Sequence, residues 1–299
     1  MDAGPGPGRR RAAGLFWAGV TVCIFAGWFV VTRVAVTHVL RSWDIAALRF
    51  GVGLLVLAPL LRRRPFPPRA WREGAVFSVL WGAPFVLLLG FGVQRTSAGE
   101  ASAITPTLTP LFSGLFAWAM LKQRPGRARF AGFAAIGAGV VALVLVNAAS
   151  GGAPDPLGLL CLVSASAVWA VYTVLFRSSR LDPVQSAWLI CFWSCLAFLP
   201  VYLGLGLSHL HLASWDELLV QGVYQGVLMS AVGIVTFNRA AVLLGPTGAT
   251  SVVALLPAVA AALAVPVLGE VPGLLQALSI TVIAGGVLLA ARPDKPAAS

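Results

Sequence analysis

The sequence predicts an all-α integral membrane fold of ten transmembrane helices, arranged as two inverted five-helix repeats. Three observations carry that prediction. Hydrophobic residues fill 59% of the 299 positions and charged residues only 10%, against about 25% charged in a soluble domain. The apolar residues fall into ten runs, each near the roughly 20 residues a helix needs to cross a bilayer. The two halves of the chain also overlay at a constant offset. Together these features exclude a soluble enzyme, a disordered chain and a secreted disulfide scaffold.

Residues 1–11 form a Gly/Pro tail that ends in Arg9, Arg10 and Arg11. The first apolar run, 12–32, is uncharged over 21 residues, longer than the ~7–15 of a signal-peptide core, so it is expected to be a retained helix. The next four runs are 45–61, 74–93, 101–121 and 130–146, the first of these interrupted by Arg49. The second half supplies 157–176, 184–207, 218–238, 247–268 and 274–291. The expected organisation is a repeat at 12–147, an extracytoplasmic connector at 148–156, a repeat at 157–291 and a tail at 292–299.

The net charge of +11 invites a nucleic-acid reading, but the basic residues sit in short loop clusters such as Arg62, Arg63 and Arg64. With the N-terminus inside, 16 of the 21 basic residues fall in cytoplasmic segments and only Arg33, Arg41 and Arg95 fall outside. Excess Lys and Arg in cytoplasmic loops sets membrane orientation. Both termini are therefore expected in the cytoplasm, and no nucleic-acid partner is expected. Abundant Arg, Ala and Gly point to a bacterial cytoplasmic membrane. The four cysteines lie inside apolar runs without metal-ligand spacing, and read as small buried hydrophobes. No metal or cofactor is expected.

At an offset of 147, Pro110 falls on Pro257, Leu121 on Leu268 and Gly126 on Gly273. Each half thus ends in a proline-bearing helix, a polar turn and a Gly/Ala-rich last helix. Five spans per half turn the second copy upside down, a recurrent transporter plan with its site near the bilayer midplane.

The order of several sequence blocks adds a resemblance. They are Ala26-Gly27-Trp28-Phe29, Ala47-Leu48-Arg49-Phe50, the stretch from Thr96 to Ala103, and Leu108-Thr109-Pro110-Leu111-Phe112. Related blocks recur as Gly248-Ala249-Thr250, Leu255-Leu256-Pro257, Leu268-Gly269-Glu270 and Gly285-Gly286-Val287. In these the chain resembles a drug/metabolite transporter of the EamA type, over nearly its whole length. Gln123 departs from the family pattern, where a Glu usually follows span four. The resemblance implies a secondary transporter, with spans one, three, four, six, eight and nine around a cavity.

Polar groups inside apolar spans are functional candidates. Arg49 either snorkels outward, satisfies neighbouring carbonyls, or attracts an anionic solute. Glu100 opens span four, could pair with Arg49 or Arg95, and is the best proton-coupling candidate. Asn238 and Arg239 close span eight, Arg239 reading more as an anchor than a ligand. Trp28, Trp81, Trp169 and Tyr172 lie too deep for an interfacial belt and are expected to wall the cavity. Tyr224 and Gln225 have similar prospects. Pro84, Pro106, Pro110, Pro257 and Pro266 would kink their spans, with Pro110 and Pro257 as expected hinges. Small residues at spacing four, Ala131, Ala135 and Gly139 with Ala277, Thr281 and Gly285, permit close helix contact within a monomer or at a homodimer seam.

His38, His209 and His211 fall in loops, and no nucleophile–base set, phosphate loop or metal motif appears, so no enzyme is expected. The expected function is movement of a small metabolite, an amino acid or related amphipathic solute, outward by alternating access. Export of lipophilic cations or drugs, import, and an integral-membrane enzyme acting on lipid carriers remain open alternatives.

Overall fold

Proline and a capping carboxylate start the best-defined helices. A first-turn N–H has no intrahelical acceptor, so proline there loses no hydrogen bond. Pro156 opens one helix behind Asp155, whose Oδ1 accepts from the Leu157 and Gly158 amides at 2.7 and 3.3 Å. Pro183 opens the next behind Asp182, whose carboxylate accepts from the Val184 and Gln185 amides while Gln185 answers the Asp182 N–H. This reciprocal box satisfies first-turn donors that have no intrahelical acceptor.

A computed structural model describes residues 7–61, 66–96, 98–122, 126–149, 155–268 and 273–290. The described residues are helical, without a strand. In the first half the helices are α1 (Pro7–Thr37), α2 (Ser42–Leu61), α3 (Pro68–Trp81), α4 (Ala83–Arg95), α5 (Ala98–Leu121) and α6 (Arg127–Ala149). In the second half they are α7 (Pro156–Ser178), α8 (Pro183–Gly204), α9 (Trp215–Gln221), a π-helix (Gly222–Gly233), α10 (Ile234–Leu244), α11 (Pro246–Val253), α12 (Leu256–Leu268) and α13 (Leu274–Ala290). Among the described residues, eight helical segments are long and apolar enough to cross a membrane, and two shorter apolar helices, Pro246–Ala260 and Leu274–Ala290, accompany them. The protein is a multi-pass membrane protein.

Three apolar segments are interrupted mid-length. The 28-residue segment Pro68–Arg95 breaks at Gly82 (φ −97°, ψ −144°). There the freed Ala83 amide donates to Ser194 Oγ of α8 at 3.2 Å. A Cβ on Gly82 would collide with that same Oγ and with the Ser78 carbonyl. Segment Trp215–Leu244 widens into the π-helix, where Ser230 Oγ donates to the Arg49 carbonyl at 2.7 Å and the Gln225 carbonyl at 3.1 Å. The third break falls at Ala254 and Leu255, between α11 and α12. Pro257 has no N–H to offer the Val253 carbonyl four residues back, which explains the stop. Pro106 and Pro110, in contrast, are accommodated inside the continuous helix α5.

Between α10 and α11 the chain turns on one residue. Gly245 has φ +81°, a region a side chain disfavours, and Pro246 then starts α11. The described helix passes the expected end at Asn238 and runs to Leu244. Asn238 is therefore fully buried in α10, not terminal.

Helix packing pairs the two halves. α2 packs on the π-helix and α8, α3 on α8, α4 and α5 on α7, α1 on α10, α11 and α12, and α6 on α13. The α6–α13 contact is backbone to backbone. A Cβ on Gly132 would lie 2.5 Å from the Ala290 amide nitrogen, and one on Gly139 2.7 Å from Ile283 Cγ1. Of the expected small residues, Gly139 and Ala135 lie in this seam, while Ala131, Thr281 and Gly285 are exposed; Gly132 and Gly286 are further tight positions.

At the end of the bundle that carries the α1–α2 turn, Asp44 is completely buried. Its carboxylate accepts from the Arg41 amide at 2.9 Å, the Tyr202 hydroxyl at 2.5 Å and the His209 amide at 2.9 Å. The His209 Nδ1 is 3.9 Å away. This one carboxylate ties the segment after α8 to the start of α2, beside a small apolar cluster of Ala35, Leu40 and Ile45 packed by Leu210.

Candidate functional site

The halves meet around an aromatic cluster. Trp81, at the C-terminal end of α3 where the segment breaks, stacks on Trp169 of α7 with centroids 5.9 Å apart and planes at 17°. It also touches Tyr172 at 4.6 Å and Phe237 of α10 at 5.0 Å. Phe25 of α1 closes the group, 5.8 Å from Trp169 and 6.4 Å from Trp81. Offset and tilted ring pairs at such distances contribute about 0.5–1.5 kcal/mol each beyond burial. The cluster is thus a stiff wall built from four helices.

Beside it lies a cavity of about 380 Å³, its mouth included. Trp28, Trp81, Trp169 and Arg49 line it, as do Phe25, Phe29, Phe85 and Leu89. Thr105 and Pro106 of α5, Met229 of the π-helix and Leu256 at the α11–α12 break complete the lining. All three interrupted segments therefore contribute to the cavity.

The polar groups at the cavity differ in what they have left to offer. Trp28 Nε1 donates to Gln225 Oε1 at 2.7 Å. Gln225 Nε2 in turn donates to Thr32 Oγ1 at 2.9 Å and to Gln221 Oε1 at 3.2 Å. Trp28 consequently presents only its ring. Thr105 Oγ1 donates to the Leu162 carbonyl at 3.2 Å. By contrast, Trp169 Nε1 and Arg49 Nε are buried without a hydrogen-bond partner among the described residues.

Arg49 is only 2% exposed, and Phe50 is the ring nearest its guanidinium, at 5.7 Å. It does not snorkel. A buried ion without a partner is unfavourable by several kcal/mol. A carboxylate brought to ~4 Å would recover about 4 kcal/mol at an effective dielectric constant near 20. The site as built combines one buried cationic side chain with an otherwise apolar and aromatic lining.

Of the other residues expected from sequence, Tyr172 and Asn238 sit behind the aromatic wall. The Tyr172 hydroxyl donates to Asn238 Oδ1 at 2.8 Å and lies 3.1 Å from Ser186 Oγ, which fixes the ring that carries Trp81. Tyr224 is not among the lining residues, and its hydroxyl donates to the Ile24 carbonyl at 2.9 Å. The Glu100 side chain lies outside the described residues, as do Gln123 and Glu270. Arg95, a proposed partner for Glu100, has its Nε 3.7 Å from Asp155 Oδ2. Arg239 is exposed, its guanidinium 4.8 Å from the Trp17 ring centroid, which suits an anchor. Pro110 lies in the unbroken α5, and Pro257 is the second residue of α12.

Phe25, Phe85, Phe237 and Met229 were not expected at the site. Single phenylalanines in apolar helices look alike in sequence, and only packing separates wall from filler. No group of three or more His, Cys, Asp or Glu side chains that could hold a metal occurs among the described residues.

A family model described as the EamA-like transporter family matches the chain twice, over residues 12–145 and 156–292. A protein of Streptantibioticus cattleyicolor named "Probable terminal-alkyne amino-acid exporter" is 30% identical over 288 residues, covering 91% of this chain and 92% of the relative. A protein of known crystal structure aligns with a TM-score of 0.70 at 17% identity, over 93% of this chain and 95% of the other. At that identity the likeness concerns the fold alone.

Proposed function

The chain belongs to the EamA-like transporter family, and from that premise we propose that it exports a small amphipathic solute, an amino acid or related metabolite. Transport would run by alternating access across a bacterial cytoplasmic membrane, with both termini in the cytoplasm. The observation that carries the reading is the cavity where three interrupted segments meet, lined by Trp28, Trp81 and Trp169 beside Arg49, whose Nε has no hydrogen-bond partner among the described residues. Irregular backbone at membrane depth is tolerated where it lines a cavity, and interrupted helices are where transporters hold their solutes.

The inverted ten-span repeat is part of the same proposal. It is supported by the exchange of packing partners between the halves. α1 packs on α10 as α7 packs on α4, and α2 packs on the π-helix as α8 packs on α3. Likewise α1 packs on α11 and α12 as α7 packs on α5, while α6 packs on α13. Rocking of the halves about the cavity, with Pro110 and Pro257 as hinges and Glu100 carrying a coupled proton, completes the mechanism.

The named relative makes a terminal-alkyne amino acid the first solute to try. Cells expressing the chain and loaded with L-propargylglycine should retain less of it than cells expressing Trp81→Ala. Equal retention in the two, at equal expression, counts against the reading.

A further inference from the structure

We infer that the cavity recognises its solute by a carboxylate and an apolar tail, and not by an ammonium group. The inference rests on the transporter reading above and names what that cavity selects. The groups there without a hydrogen-bond partner among the described residues, Arg49 Nε and Trp169 Nε1, are both donors, and both residues are more than nine-tenths buried. The neighbouring donors are occupied, Trp28 by Gln225 and Thr105 by the Leu162 carbonyl. A carboxylate is acceptor-only with about four lone-pair sites, so it takes a guanidinium and an indole N–H together.

An ammonium group is the reverse case. It brings three donors and a positive charge to a cavity whose one charged group among the described lining residues is Arg49. The only side-chain oxygen among those residues is the Thr105 hydroxyl. The apolar remainder of the solute then lies along the faces of Trp81 and Phe85. A deaminated acid is therefore as good a ligand as the amino acid from which it derives, while the decarboxylated amine is excluded.

Four probes that share one tail test this: L-propargylglycine, 4-pentynoate, 4-pentynamide and 3-butynylamine. Each is titrated calorimetrically into the purified full chain in nanodiscs. The expected result is that the amino acid and the acid bind within about threefold of each other, with the amide and amine at least tenfold weaker. Trp169→Phe keeps the ring and removes only the N–H. It should weaken acid binding about tenfold, the loss expected for a hydrogen bond to a charged group, and leave the amide unchanged. Arg49→Gln should abolish the preference for acid over amide.

An amide or amine that binds as well as the acid overturns the inference, as does an amino acid that binds while the acid does not. In those cases the transporter reading stands. Equal weakening of acid and amide in Trp169→Phe marks a structural role and overturns it as well. Binding of none of the four probes counts against both the inference and the solute class proposed above.

Discussion

Residues with the same chemistry take different roles here because of what they touch. Trp28 and Trp169 occupy corresponding positions at an offset of 141. Trp28 donates to Gln225 and so offers a ring, whereas the Trp169 N–H has no acceptor among the described residues. Sequence depth identified both as cavity walls but could not divide them, since the partner of Trp28 lies 197 residues away. The role of Asp44 was not legible, because two of its three donors, the Tyr202 hydroxyl and the His209 amide, come from distant segments. Replacing Asp44 with Ala leaves those donors buried without an acceptor and should destabilise the fold by about 3 kcal/mol. The readouts are a lower melting temperature in detergent and protease cleavage within 205–214; an unchanged melting curve and digest would contradict the role assigned to it. Glu100 is the proposed coupling residue. Glu100→Gln should remove the response of transport to an imposed pH gradient in proteoliposomes while leaving solute exchange intact, and a retained pH response removes Glu100 from the mechanism.

Helices carry the argument at the next scale. All ten expected apolar runs have helical counterparts, since periodicity and length are read directly from sequence. The interruptions were less legible. Pro257 signalled the break before α12, but Pro110 signalled nothing comparable in α5, and the π-helix carries no proline at all. Serine–backbone hydrogen bonds mark two of these irregular stretches, Ser194 accepting from the Ala83 amide and Ser230 donating to the Arg49 carbonyl, and a serine in an apolar run does not declare its partner. The α6–α13 seam makes the same point about register. The small-residue spacing identified the right pair of helices, yet the seam runs through Gly132 rather than Ala131. Gly132→Val should push two backbones apart and destabilise the protein by about 1–3 kcal/mol or more. Gly285→Val should be neutral, because a Cβ there meets nothing within 4 Å. Thermal unfolding of the two variants side by side separates these expectations, and equal melting temperatures would mean the contact does not constrain the helices.

For the whole molecule, the scarcity of charge and its segregation decided the fold class. The 31 charged residues cannot coat a soluble protein of this size, and their clustering between apolar runs leaves the interior to aromatic and hydroxyl groups. Within that interior Arg49 is the cavity's one described charge, and the proposed solute class rests on it. The proposed mechanism rests on two halves that exchange packing partners around one cavity. Its central claim, that this cavity moves a small amphipathic metabolite, is most directly tested by counterflow. Purified chain is reconstituted in proteoliposomes preloaded with unlabelled L-propargylglycine and diluted into a trace of the labelled compound. Transient accumulation of label, absent from protein-free liposomes and abolished in Arg49→Gln, is the predicted result. Label uptake equal to that of protein-free liposomes would contradict the account.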